Sequence, residues 1–238
     1  VLPRASLPSP DRRPDLGQRA EPRADPGAAD RDGAGGGGVL AFRLRRAMAV
    51  DPHLAPRRRR DGEAVEVDAA GGANAMPDFL RLNPLGKLPV LELDDGSAIA
   101  ESLAICRYLE AIHPQPPLMG KTPQASAHIE MWTLRMDHEL SQPIALAFVH
   151  SSDFYRGRLE QVPEVALWAR ARALQTMTWL DGELAGRSHI AGEDYSLADI
   201  VAQCAFVLGK AVSLRIPAAQ ANLMRWFAEV SARPTARA

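Results

Sequence analysis

Cysteine is scarce in this 238-residue sequence: Cys106 and Cys204 are the whole supply. Two cysteines exclude a disulfide framework. Both fall in apolar, helix-like stretches, so they are expected as buried thiols in a reducing compartment. Long apolar runs are also missing. None approaches the roughly 20 residues of a membrane helix, so no span is expected. The start, "VLPRASLPSPDRRPD", lacks the apolar core of a secretory signal and is broken by proline and charge. A cytoplasmic location is the expectation. Metal-ligand spacings, phosphate-binding glycine loops and nucleophile elbows are absent too, so no metal is expected.

Residues 1–62 lack Tyr, Cys, Thr and Trp and hold a single Phe, Phe42. Their 13 Arg outweigh 8 Asp and Glu, whereas the remaining residues carry 15 basic against 21 acidic side chains. A chain segment of Arg, Pro, Ala, Gly and Asp buries too little apolar surface to offset its entropy. Only "VLAFRLRRAMAV", Val39 to Val50, has the content for a helix or strand, and its arginines interrupt any clean apolar face. Three readings are open for the segment. It is a disordered tail, a basic arm centred on Arg57 to Arg60, or GC-rich DNA read out of frame. The arm is disfavoured, because no aromatics alternate with the arginines as a base-stacking surface requires. Neither nucleic acid nor membrane is expected as a partner.

Order begins near Glu63. "EAVEVD" alternates as a strand does, and "MPDFLRLNP" predicts a short helix with Pro77 in its first turn, ended by Asn83-Pro84. "PVLEL" predicts a strand, Asp95-Gly96 a hairpin turn and "SAIA" the returning strand. Ser102 is expected to cap a helix over "LAICRYLEAI". A proline opening a strand, as Pro89 does, has no N–H for a neighbour and belongs at an edge or special turn. Were the Leu88–Pro89 bond cis, the amide and carbonyl of Leu88 would be left to pair with an extended, peptide-like ligand. Local sequence alone makes trans the commoner state. At Glu101-Ser102 the free amides of a helix start suit a carboxylate, Glu101 suits an ammonium, and Lys87 is placed for a second carboxylate. A plain serine cap beside a solvated glutamate is the alternative.

The run "FLRLNPLGKLPVLELDDGSAIAESLAICRYLE" resembles the later part of the thioredoxin-like domain of the glutathione S-transferase superfamily, in its bacterial and fungal, theta-like branch. The similarity continues through "IEMWTLRMDHELSQPIALAFVH" and "IAGEDYSLADI" to "RWFAEVSARP", so it covers about residues 63–238 and not 1–62. It implies an α/β thioredoxin-like N-terminal domain, incomplete at its start, followed by an all-α helical domain. The portions are 1–62 unassigned, 63–117 thioredoxin-like and 121–238 helical. Pro89 would be the cis-proline and Leu88 would hold the cysteinyl main chain of glutathione. Glu101 and Ser102 would bind its γ-glutamyl end, and Lys87 would lie near its glycyl end. Glutathione would be a co-substrate, the second substrate a hydrophobic electrophile, and the assembly a homodimer.

The family's reaction needs a donor that stabilises the glutathione thiolate, since a free thiol ionises near pH 8.5. That donor follows the first strand in the family. Counting back from Pro89 reaches Arg43 to Arg46, where no hydroxyl or thiol stands. The first strand and helix are equally unrecognisable, and without them the sheet is expected to lose its central pairing. The remaining candidates are His150 and Ser151, with Ser152, at the end of a long helix that the family sets along the active cleft. A surface helix end with a capping serine is the plainer account of them. Two functions follow: a glutathione transferase acting on hydrophobic electrophiles, or a non-catalytic binding protein of that fold or defective gene product, lacking the thiolate activator.

In the helical half, Ile129, Trp132, Met136 and Leu140 recur at helical spacing, with Pro143 expected to kink the helix. Leu167, Leu174, Met177, Leu180 and Leu184 repeat the pattern. Ser196 and Asp199 form a capping-box arrangement ahead of an apolar helix and are expected to be structural.

Overall fold

The computed structural model of the chain describes residues 39–43 and 63–237. A four-stranded sheet in the order β2-β1-β3-β4 is built from β1 (Val39–Arg43), β2 (Glu63–Val67), β3 (Val90–Glu92) and β4 (Ala98–Ala100). β1 lies antiparallel to β2 and parallel to β3. The centre of the sheet is therefore filled by a strand the sequence reading had not recognised, which corrects the expected loss of central pairing. The helix expected after it falls in residues 44–62, outside the described residues, as do Arg57 to Arg60.

The following elements match the periodicities. α1 (Pro77–Leu82) starts with proline at its first position and ends at Asn83. β3 and β4 form a hairpin whose turn closes through Gly96 N–H to Leu93 C=O, 2.9 Å, with Gly96 at φ 83°, a conformation that suits glycine. The Ser97 hydroxyl and amide both donate to Asp95, at 2.6 and 2.8 Å, and hold its carboxyl below the ordinary value. α2 (Ser102–Ile112) then packs Ile105 and Leu109 on Leu91 of the sheet.

The helical half comprises α3 (Pro123–Met136), α4 (Gln142–Ser151), α5 (Pro163–Glu183), α6 (Leu197–Gly209) and α7 (Ala221–Ser231). A π-helical turn, Asp137–Ser141, joins α3 to α4, so the chain passes Pro143 as one long helix rather than breaking. Pro143 has no N–H for the preceding turn, and the Thr176 hydroxyl donates to the Glu139 carbonyl there at 2.8 Å. Trp132, Met136, Leu140 and Ile144 meet Met177, Leu180, Phe206, Leu223 and Trp226 in the main core.

α6 runs through this core, and its start is the most heavily bonded point in it. Asp199 is fully buried; it accepts from the Ser196 amide (2.9 Å), the Ser196 hydroxyl (3.1 Å), the Ile190 amide (2.9 Å) and the Trp226 indole (2.7 Å). The capping box is formed as the spacing predicts.

Three expectations change in this half. Leu167 and Leu174 are exposed, at 68% and 40%, because α5 turns its small residues, Ala166, Ala169, Ala173 and Thr176, to the core. Trp168 stands out beside Leu167 at 62% exposure. Cys204 is exposed on α6 and Cys106 half-buried; neither is in a disulfide. No helix among the described residues is long and apolar enough to cross a membrane.

The sheet portion is tied to the helical half along a seam. Leu118, Leu197 and Ile200 pack with Leu103 and Cys106, the Leu197 amide donates to Leu118 C=O (3.0 Å), and Arg107 of α2 pairs with Glu130 of α3 at 2.7 Å.

Candidate functional site

The β3–β4 hairpin determines which residues meet. Its register pairs Val90 with Ala100. The ladder stops at that pair, so Pro89 and Glu101 are the residues that leave it, one on each strand, at the open end of the hairpin. The candidate residues Lys87, Leu88 and Pro89 lead into β3 and Glu101 and Ser102 lead out of β4, at the same end of the hairpin. The Leu88–Pro89 bond is cis. Among the described residues, neither the amide nor the carbonyl of Leu88 has a hydrogen-bond partner.

The helix start opposite it is equally open. Glu101, not Ser102, is the capping residue of α2, and its side chain makes no cap bond. Ser102 is the first helical residue, a correction to its expected capping role, and among the described residues its hydroxyl has no partner. The first backbone bond of the turn runs from Ile105 N–H to Glu101 C=O at 3.0 Å. The amides of Ser102, Leu103 and Ala104 therefore point out of the helix end with its partial positive charge. Glu101 sits at φ 67°, ψ 120°. A non-glycine residue in that region costs about 1–3 kcal/mol and is held only by its surroundings. Lys87 and Glu101 are exposed and make no ion pair among the described residues.

Two asparagines shape the loop that carries Lys87 and Leu88. Asn83 is 4% exposed; its Nδ2 donates to Lys87 C=O at 2.8 Å, and its Oδ1 accepts from the Leu85 amide at 3.1 Å. Asn74 Nδ2 donates to Gly86 C=O at 2.7 Å. In the sequence Asn83 reads only as a helix terminator, and nothing there marks Asn74. A buried asparagine beside a proline in a loop is the signal that could have found the first.

His150 and Ser151 do not join this cluster through any contact. His150 Nδ1 accepts the Val162 amide at 3.2 Å, and the Ser151 hydroxyl donates to Ala147 C=O at 2.6 Å within its own helix. Both side chains are occupied in finishing α4. The loop beyond them does reach the sheet portion: Arg158 donates to Ala69 C=O (3.1 Å) and Ala70 C=O (2.6 Å). Among the described residues, no group of three or more His, Cys, Asp or Glu is arranged to hold a metal ion.

Comparison with known proteins gives this arrangement its context. The family model for the glutathione S-transferase N-terminal domain matches residues 58–112, and that for the C-terminal domain matches 136–234. Glutathione S-transferase 2 of Saccharomyces cerevisiae is 34% identical over 175 residues, which cover 73% of this chain and 75% of that protein. The crystal structure of Gtt2 from Saccharomyces cerevisiae superposes with a TM-score of 0.69, covering 73% of this chain and 84% of its own. A glutathione S-transferase domain-containing protein of Marinobacter aquaeolei gives 0.70 at 34% identity, over 72% of this chain and 85% of its own. Elongation factor 1-gamma of Danio rerio is 35% identical over 161 residues; they cover 66% of this chain and only 34% of that protein. Domain models matching in order and a relative covered over three quarters of its length agree: the chain belongs to the glutathione S-transferase superfamily.

Proposed function

We propose that this chain is a glutathione transferase that binds reduced glutathione at the β3–β4 hairpin end and delivers its thiolate to a hydrophobic electrophile. The observation that carries the reading is the juxtaposition of unpaired Leu88 amide and carbonyl groups with the open amides at the start of α2. An extended tripeptide would pair its cysteinyl main chain with Leu88 in the manner of an added strand. Its γ-glutamyl carboxylate would take the Ser102 hydroxyl and the free helix amides, its ammonium would meet Glu101, and Lys87 would lie near the glycyl carboxylate. In the reaction a carbon–sulfur bond forms as the thiolate attacks the electrophilic carbon. The leaving group departs with the bonding electron pair, and the thiol proton passes to solvent. Such chemistry fits a detoxifying role in the cytoplasm, with glutathione consumed as a co-substrate.

A homodimer is part of the proposal. Leu167, Trp168, Leu174 and Trp179 crowd the outer face of α5. Beside them lies a groove of about 450 Å³ lined by His138, Pro143, Trp168 and Ala171. The charged neighbours there, Arg172 and Glu139, pair with each other and leave a face without net charge. A second copy buries such a surface without like-charge conflict.

A non-catalytic role is the second reading. It draws support from the occupation of His150 and Ser151 in helix-end bonds, and from the elongation factor 1-gamma relatives, of which this chain spans about a third. Calorimetric titration of the purified chain with reduced glutathione tests both readings when followed by turnover of a chloronitroaromatic electrophile. Saturable one-per-subunit binding with turnover supports the enzyme, whereas binding without turnover, or no binding by the folded chain, supports the second reading.

A further inference from the structure

Arg158 belongs to the helical half, yet its guanidinium holds the sheet half. Its two terminal nitrogens reach successive carbonyls, Ala69 at 3.1 Å and Ala70 at 2.6 Å, across 89 and 88 residues of chain. Among the described residues it has no carboxylate partner. Its flat face lies over the Phe154 ring, 4.5 Å from the centroid, and its own amide donates to Tyr155 C=O at 3.0 Å. The loop that carries it is braced in turn. Gln161 Nε2 donates to Val149 C=O and Ser152 C=O, both at 2.8 Å, and Phe148, Phe154 and Tyr155 pack ring against ring. The fork is therefore fixed before it meets its acceptors, and a guanidinium suits two adjacent oxygens as an ammonium does not.

The acceptors open a chain of bonds that ends at the candidate site. Ala69 C=O also takes the Gly72 amide (3.3 Å), and Asp68 takes the Gly71 amide on Oδ1 (2.7 Å) and the Ala73 amide on its carbonyl (2.9 Å). The Ala75 amide returns to Gly72 C=O at 2.9 Å, which sets Asn74. Asn74 donates to Gly86 C=O, and the Gly86 amide donates to Asn83 C=O at 2.9 Å. Asn83 then holds Lys87 C=O, the residue before Leu88. Every link is local in sequence except the Arg158 fork and the bond from Asn74 to Gly86, which spans 12 residues. Without Arg158, the turn from Asp68 to Gly72 is held only by bonds within itself, and Gly71 and Gly72 leave its backbone freer than other residues would.

We infer that Arg158 is a positioning residue: it sets the Lys87–Leu88 loop from the helical half, through the Asp68–Ala75 turn and Asn74. The inference rests on the reading that this loop receives glutathione. It predicts a change in glutathione affinity and not in the chemical step.

The test compares the full chain with R158A and R158K by hydrogen exchange, and separately by glutathione titration and turnover. In R158A, exchange at residues 72–75 and 85–86 is expected to rise about tenfold, with α6 and α7 unchanged. R158K offers one donor nitrogen where the guanidinium offers two, and falls between. KM for glutathione is expected to rise about threefold to tenfold with kcat within twofold, the pattern of a lost ground-state and transition-state contact. Exchange at 85–86 within twofold of the parent in both variants overturns the inference. If the parent chain binds no glutathione, the functional reading fails, while the exchange data still decide whether Arg158 sets the loop.

Discussion

Replacing Asp199 by alanine is expected to be strongly destabilising to the helical half. The carboxylate accepts four hydrogen bonds and is fully buried, so its loss strands the amides of Ile190 and Ser196 and the indole N–H of Trp226. A buried donor left unsatisfied costs about 1–3 kcal/mol. Three such donors, with some recovery through water and relaxation, give roughly 3–6 kcal/mol. That is a large part of the 5–15 kcal/mol or so that holds a domain folded. D199N keeps one accepting oxygen for Ile190 and Trp226 but turns an amide N–H₂ toward the Ser196 amide. Its expected cost is intermediate, about 2–3 kcal/mol. Urea denaturation followed by tryptophan fluorescence and far-ultraviolet circular dichroism measures both, and D199N with W226F should cost less than the sum of the two because they share one bond. A D199A midpoint corresponding to less than about 1 kcal/mol of lost stability would refute the argument, since it would mean these donors find water at no penalty.

Two further outcomes follow from the surface and the site. W168E places a charge on the outer face of α5, where the parent side chain is 62% exposed; analytical ultracentrifugation should show a shift from dimer to monomer with the circular dichroism spectrum unchanged. E101G removes both the strain at φ 67° and the carboxylate. Thermal unfolding should show a gain of about 1 kcal/mol, while calorimetry shows roughly tenfold weaker glutathione binding from the lost charged contact.

The helices were legible because their apolar residues recur locally. Trp132, Met136 and Leu140 lie at spacing that any helix must bring to one face, and they are buried. Ser196 and Asp199 carry their own bonding pattern within four residues. The same rule misplaced Leu167 and Leu174, since α5 has two apolar faces and periodicity does not say which one meets the core. In its first half the core side is made of Ala166, Ala169 and Ala173, with Met177 and Leu180 buried further along, while Leu167 and Leu174 are left outward. Val39–Arg43 was missed for another reason. Its arginines spoil alternation, and what places it is pairing with strands 20 to 50 residues further along the chain, to which local pattern is blind.

The candidate site divides along the same line. Lys87, Leu88, Pro89, Glu101 and Ser102 were found together because a single short hairpin joins them, so one stretch of sequence holds both halves of the cluster. Arg158 acts from another part of the chain on main-chain oxygens. A carbonyl is the same at every residue, so nothing at Ala69 or Ala70 announces a partner in the sequence. Side chains that meet a ligand leave a mark in residue type, whereas those that hold the ligand's loop through backbone leave almost none. The positioning shell around Leu88 therefore had to come from structure, even though Leu88 itself did not.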